Sequence, residues 1–154
     1  MPLGSSMQIS ASGLTAERLR LDVISNNLAN VNTTRTENGG PFRRQEVVFS
    51  DRQGGGSFAS KLSAACGGMG GNGSCGAGVE VLSIQPDTSH DFKMVYDPGH
   101  PDADKATGFV KMPNVEPVVE MVDMISASRA YEAGVTAINS AKQMQQRALD
   151  IGRA

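Results

Sequence analysis

Apolar side chains recur at intervals of seven near the start of the chain, at Met7, Leu14, Leu21 and Leu28, with Ile24 and Val31 at the matching intermediate step. In an α-helix that spacing makes a narrow apolar seam, and a seam needs a partner helix. Ile9, Ala16, Leu19 and Val23 fall on another face, so contact with more than one neighbour is expected. Asn26, Asn27, Asn30 and Asn32 crowd the end of the segment, although Asn is a poor helix former and is costly to bury without hydrogen bonds. Asn30 and Asn32 suit helix termination. For Asn26 and Asn27 the expectation is interhelical hydrogen bonding. Ser5 or Ser6 could cap the start, and Gly13 weakens the interior by about 1 kcal/mol relative to Ala.

From Phe42 the period changes. Phe42, Val47, Val48 and Phe49 suggest one strand, and residues 79–84, bounded by Gly78 and Pro86, a second. Phe92, Met94 and Tyr96 alternate on one face, and residues 109–112 form a fourth short run. Pro98, Gly99, Pro101 and Gly108 between the third and fourth runs demand turns, which predicts a hairpin with a long loop. Residues 54–78 are a glycine-rich tract that loses much backbone entropy on ordering and offers few side chains in return, so a mobile loop is expected there.

After Pro113 the helical period returns, carried by Val118, Met121, Ile125, Ser128, Tyr131, Val135, Ile138, Ala141 and Ala148. Asn114 is a candidate cap, and Pro117 is tolerable in a first turn, where amides lack intrahelical partners. Unbroken, this helix has roughly 35 residues and is about 50 Å long, more than a small core can bury. Its natural partner is the first helix, antiparallel, with Leu28 beside Met121, Ile24 beside Ile125, Leu21 beside Ser128 and Leu14 beside Val135. The fold class is α+β: a long coiled-coil-like helix pair with an inserted β module, divided as an N-terminal helix over 1–34, a β-rich insert over 35–113 and a C-terminal helix over 114–154.

Composition narrows the possibilities. With 18 glycines, 5 phenylalanines, 2 tyrosines and no tryptophan in 154 residues, a large solitary core is not expected, because aromatic groups normally dominate burial. The formal net charge of −2 and the absence of a clustered basic face argue against nucleic acid as a partner. Arg43 and Arg44 are the only adjacent basic pair, which ordinarily reads as a solvated strand edge. No apolar run is long enough to span a bilayer, and the opening residues lack the basic and apolar regions of an ordinary signal peptide.

Little chemistry is visible. The glycines at 71, 73 and 76 match a dinucleotide-binding spacing, but the motif needs a strand before it and a helix after it. Cys66 and Cys75 cannot complete a zinc shell, and could form a disulfide in an oxidising compartment or remain free thiols. Asp97, His100, Asp102 and Asp104 lack the third oxygen ligand and terminal glutamate of a calcium loop and read as turn residues. No metal, cofactor, small-molecule substrate or catalytic group is expected.

Four stretches together carry a family resemblance. SGLTAERLRLDVISNNLANVNTTRT resembles the N-terminal signature of bacterial flagellar axial proteins, those of rod, hook and hook junction; GGPFRRQEVVF, VYDPGHPDADKATGFVKMPNV and EMVDMISASRAYEAGVTAINSAK resemble the proximal-rod members. The resemblance covers both helices and most of the β module, but not the glycine-rich tract or its cysteines. It implies an exported, non-enzymatic subunit that assembles with sister rod proteins and copies of itself into a helical tube across the periplasm, transmitting torque from rotor to hook. It also implies engagement with the type III flagellar export apparatus without a cleaved signal, and terminal helices that pack into the tube wall. The competing reading is an export chaperone or adaptor whose helical hairpin clamps a partner helix.

Overall fold

A computed structural model describes residues 3–37, 39–52 and 78–153. Cys66, Cys75 and the tract from 54 to 77 lie outside the described residues. The elements run α1 (Leu3–Ala29), β1 (Gln45–Asp51), β2 (Val79–Pro86), β3 (Lys93–Tyr96), β4 (Phe109–Met112) and α2 (Pro117–Arg153). The chain is α+β, with a helix at each end and short strands between. It divides into two compact units, one drawn from Met1–Ala16, Phe49–Leu82 and Tyr131–Ala154, the other from Glu17–Val48 and Ser83–Ala130.

Helix α1 starts at Leu3, ahead of both serines considered as caps, so Ser5 and Ser6 fall inside its first turn. Its end is closed locally. The Asn30 amide reaches back to the Asn26 carbonyl at 3.1 Å, and the Asn30 side chain donates to the same carbonyl at 2.9 Å and to Asn26 Oδ1 at 2.8 Å. Carbonyls orphaned at a helix end are thereby satisfied. The Phe42 amide then bonds the Thr33 carbonyl at 3.0 Å, returning the chain toward β1.

β1 pairs with β2, and β3 with β4, as separate two-stranded sheets. Hydrogen bonds from the Arg52 amide to the Gly78 carbonyl (2.8 Å) and from the Asp87 amide to the Arg44 carbonyl (2.7 Å) bracket the first pair and make it antiparallel. The β3–β4 pair is antiparallel with Met94 opposite Lys111 and Tyr96 opposite Phe109, and its connection is the long turn-rich loop expected between the third and fourth runs. Val95 and Val110 face the other way, and Val110 is buried.

In the unit holding residues 17–48 and 83–130, the apolar core is Val23, Ile24, Val110, Val115 and Ala127. These are small or β-branched side chains, in line with the scarcity of aromatics. In the other unit Ala16 and Ala141 are buried, and Leu14 packs against Gly134 of α2 so closely that a Cβ there would sit 2.8 Å from Leu14 Cδ2. A second tight approach lies at Gly78, whose φ is +114° and whose missing Cβ leaves room for Ser12 of α1. Ser12 Oγ donates to the Ile9 carbonyl at 2.7 Å and accepts the Val79 amide at 3.1 Å, tying the start of β2 to α1.

Pro117 is the first residue of α2, where its missing donor costs nothing, and the Glu120 amide bonds the Glu116 carbonyl at 3.1 Å. Asn114 is not the cap. Its side chain instead accepts the Arg44 amide at 2.8 Å and donates to the carbonyls of Asp87 and His90, each at 3.3 Å. The less exposed face of α2 is Glu120, Met124 and Ala127 in one unit and Tyr131, Gly134, Ile138 and Ala141 in the other; residues 142–152 are exposed throughout.

Two glycine substitutions should therefore part in sign. Gly13 has open space where a Cβ would go, so Gly13→Ala should stabilise by up to about 1 kcal/mol in urea unfolding. Gly134→Ala should lose that helical gain to overpacking against Leu14 and fall below wild type by about 1 kcal/mol. Equal stabilisation by both would mean that the helices are not in this contact.

Candidate functional site

The organising site is polar and buried. Glu120, in the first turn of α2, has no exposed surface, and Asn27, near the end of α1, is 1% exposed. Asn27 Nδ2 donates to Glu120 Oε2 at 3.1 Å and to the Gln45 carbonyl at 2.9 Å, while Asn27 Oδ1 accepts the Gln45 amide at 3.0 Å. One side-chain amide thus serves a β-strand's backbone on both its donor and acceptor sides, and also a carboxylate on the facing helix. Arg44, next to Gln45, completes the shell: its Nε meets Glu120 Oε1 at 2.5 Å, Nη1 meets Glu46 at 2.6 Å and Nη2 meets Asp123 at 3.3 Å. Arg20 of α1 reaches Asp123 from the other side at 3.8 Å.

Burying a carboxylate is tolerable here because both oxygens are paired and the charge is opposed by a guanidinium. Its position in the first turn adds the favourable field of a helix N-terminus. Burial alone would lower the Arg44 pKa, but the hydrogen bond and charge of Glu120, and then those of Glu46, outweigh it and hold the guanidinium above its ordinary value.

A second cluster supports the first. Arg43 lies over the Phe92 ring, 4.5 Å from its centroid, and donates to the Asp87 carbonyl at 3.0 Å. The Asp87 carboxylate accepts from His90 Nδ1 and from the Ser89 amide, both at 2.8 Å, and these bonds hold its pKa below the usual carboxylate value. Neither arginine matches the solvated strand edge read from the sequence: one is spent on a buried carboxylate, the other on an aromatic face and a carbonyl.

The acidic loop is made of turns. Asp97 Oδ1 accepts the Gly99 amide at 3.1 Å, and the Asp102 amide donates to His100 Nδ1 at 3.1 Å. Asp104 accepts the Ala106 amide at 3.1 Å and the Thr107 hydroxyl at 3.0 Å, bonds that lower its pKa. Asp102 Oδ2 accepts the Thr34 hydroxyl at 2.8 Å. Turn bonding therefore engages the carboxylates of Asp97 and Asp104, and a longer-range bond from Thr34 engages that of Asp102.

Of the seam residues named from sequence, Ile24 and Asn27 are buried, and Met7, Leu14, Leu21, Leu28, Val31, Tyr131 and Ile138 are half-buried. Asn26 is exposed, and its side chain bonds within its own helix rather than across to another. Met121, Ile125 and Val135 are exposed at 50%, 56% and 36%. The register differs from the expected one by two residues where Asn27 meets Glu120, near the expected Leu28–Met121 pair, and by one where Leu14 meets Gly134 in place of Val135. One residue turns a helix by about 100°, enough to carry the larger apolar side chains outward. Glu120 was missed because apolar periodicity passes over a carboxylate. A signal was present, since Asn27 has no apolar reason to sit in a seam and Arg44 offers the matching charge.

Removing one partner of the buried pair should be costly. Glu120→Ala should lose about 3–5 kcal/mol in urea unfolding, whereas Arg44→Met with Glu120→Met, which removes both charges, should lose less than Glu120→Ala alone. A double substitution worse than the single one would show that the pair contributes no net burial penalty. The depressed pKa values of Asp87 and Asp104 give stability that is present above their ordinary value of 3.8 and lost as pH falls through the lower folded value. Wild type should therefore lose more stability than Asp87→Asn with Asp104→Asn when the pH is taken from about 5 to about 2.5, and parallel losses would contradict the assignment.

Comparison with known proteins gives concordant results. Residues 7–35 match the family described as flagella basal body rod protein, and residues 106–151 match the family described as flagellar basal body rod FlgEFG protein C-terminal. The chain is 50% identical to the flagellar basal-body rod protein FlgC of Borreliella burgdorferi, with 98% of each chain covered. It is 49% identical to FlgC of Bacillus subtilis, over 96% of this chain and 97% of the relative. With FlgC of Escherichia coli O157:H7 it shares 39% identity over 99% of this chain and the whole of the relative. The matched segments contain most of α1 and nearly all of α2, and the similarity to these relatives spans almost the whole chain, so the chain belongs to the FlgC family of flagellar basal-body rod proteins.

Proposed function

We propose that the chain is a non-enzymatic structural subunit of the flagellar rod, joining copies of itself and sister rod proteins in a helical tube that crosses the periplasm and carries torque from rotor to hook. The observation that carries this reading is the similarity to FlgC relatives along essentially the whole chain. The two terminal segments, 1–34 and 114–154, are its wall-packing parts, and the seam residues together with the outward-facing Met121, Ile125 and Val135 are its contacts with neighbours. The helical ends support this: residues 142–152 are exposed throughout, and Met144, Leu149 and Ile151 are large apolar groups that a tube wall would shield. No described helix is long and apolar enough to cross a membrane. Delivery by the flagellar export apparatus, without a cleaved signal, is part of the same reading.

The test is to purify basal bodies from cells expressing a tagged copy and to locate it by electron microscopy. Density in the rod is expected; recovery solely in small soluble complexes would contradict the proposal and favour an adaptor. A companion variant separates export from construction. Leu21→Asp places a carboxylate on a half-buried face of α1, so the variant should be exported at near-normal levels and yet be absent from rods. Normal rods and motility with Leu21→Asp would contradict the role given to this face.

A further inference from the structure

Where copies of this chain adjoin one another in a helical tube, their contacts are head-to-tail, with two different surfaces of the subunit meeting. The unit formed by residues 17–48 and 83–130 offers two candidates. The first is a ridge on the opening turns of α2, where Val118, Met121, Val122 and Ile125 are all at least half exposed. The second is concave. Met94 and Phe109 on the outer face of the β3–β4 pair, with Pro41 and Pro101, line a half-open cleft of about 470 Å³ whose walls also carry Arg35 and Lys111. Tyr96 continues that face, its ring edge-on to Phe109 at 5.4 Å. Apart from Ile84, every exposed large apolar side chain described in this unit belongs to the ridge, with its neighbour Val119, or to the sheet face.

The cleft and the ridge also differ in the charges they leave unpaired. Asp102 and Asp104 also border the cleft, but their carboxylates accept hydrogen bonds from Thr34, Ala106 and Thr107. Arg35 is exposed and forms no ion pair among the described residues, and Lys111, also exposed, forms no salt bridge there although its charge acts on Asp104 across the cleft wall. At the leading end of the ridge, Glu116 is exposed and forms no ion pair. No residue of α2 lines the cleft, so the chain does not fill it with its own ridge. We infer that the α2 ridge of one copy docks into the β3–β4 cleft of a second copy, with Val122 and Met121 against Met94 and Phe109, and Glu116 facing Lys111 and Arg35.

This rests on the rod-subunit reading, and the test separates the two. Because every copy carries both surfaces, Glu116→Lys alone and Lys111→Glu alone should each reduce incorporation into rods roughly tenfold or more, and the two in one chain should restore it. In a background with Cys66→Ser and Cys75→Ser, Met94→Cys together with Val122→Cys should give a ladder of cross-linked copies in purified rods, while either cysteine alone should give none. Rods that contain both cysteines without a ladder, or a ladder from Val122→Cys alone, would overturn the docking and leave the rod reading standing. Two charge reversals that each weaken incorporation but do not rescue one another would assign the partner surface to a different rod protein, also against the inference. Absence of the wild-type chain from rods would overturn the functional reading itself.

Discussion

A carboxylate with no exposed surface must be neutralised where it stands, and that requirement at Glu120 arranges the elements around it. Asn27 and Arg44 are the two groups that meet it, one from the end of α1 and one from the entry to β1. Both would be costly to leave unpaired, so the three segments are held in a single relation rather than merely collapsed together. Apolar contact would not have sufficed. Val23, Ile24, Val110, Val115 and Ala127 are small, and such a core can slide by a residue at modest cost, whereas a hydrogen-bonded amide and a forked guanidinium cannot. The exact helix register is therefore a property of the polar node more than of the seam.

The same economy explains the two glycine contacts. The Leu14 side chain lies so close to Gly134 that a methyl group there would intrude, and the missing Cβ at Gly78 lets Ser12 bond the start of β2. In each case a glycine makes room for a side chain of α1. In both units, then, specificity comes from small residues and satisfied polar groups, and sizeable apolar side chains are left on the outside. That distribution suits a protein whose neighbours complete its burial.

Much of the fold was legible because it rests on periodicity and turn chemistry. The terminal helices, the four short strands and the hairpin with its long loop follow from apolar spacing and from Pro98, Gly99, Pro101 and Gly108. Asn27 was readable as an interhelical group because Asn has no other reason to be there, but Asn26 beside it, equally suggestive in sequence, turned outward to serve Asn30. The pairing of Arg44 with Glu120 was not legible from apolar periodicity. A charged residue looks like surface until its partner is known, and the two are separated by the whole β segment. Missing them, the apolar pattern alone set the register one to two residues away and placed Met121 and Ile125 inward. Asn114 misled for a similar reason: a residue with good capping chemistry was engaged by the Arg44 amide and two distant carbonyls.

The claim that the Asn27–Glu120–Arg44 node binds α1, β1 and α2 into one cooperative structure is tested most directly by native-state hydrogen exchange. The Gln45 amide is held by Asn27 Oδ1 and the Arg44 amide by Asn114 Oδ1, so their protection reports the side-chain node and not a strand ladder alone. If the account is right, both amides exchange with the same opening free energy and the same urea dependence as the amides of α1 around Val23 and of α2 around Ala127. Exchange of Gln45 and Arg44 through a separate, low-energy opening, while those helical amides stay protected, would contradict it.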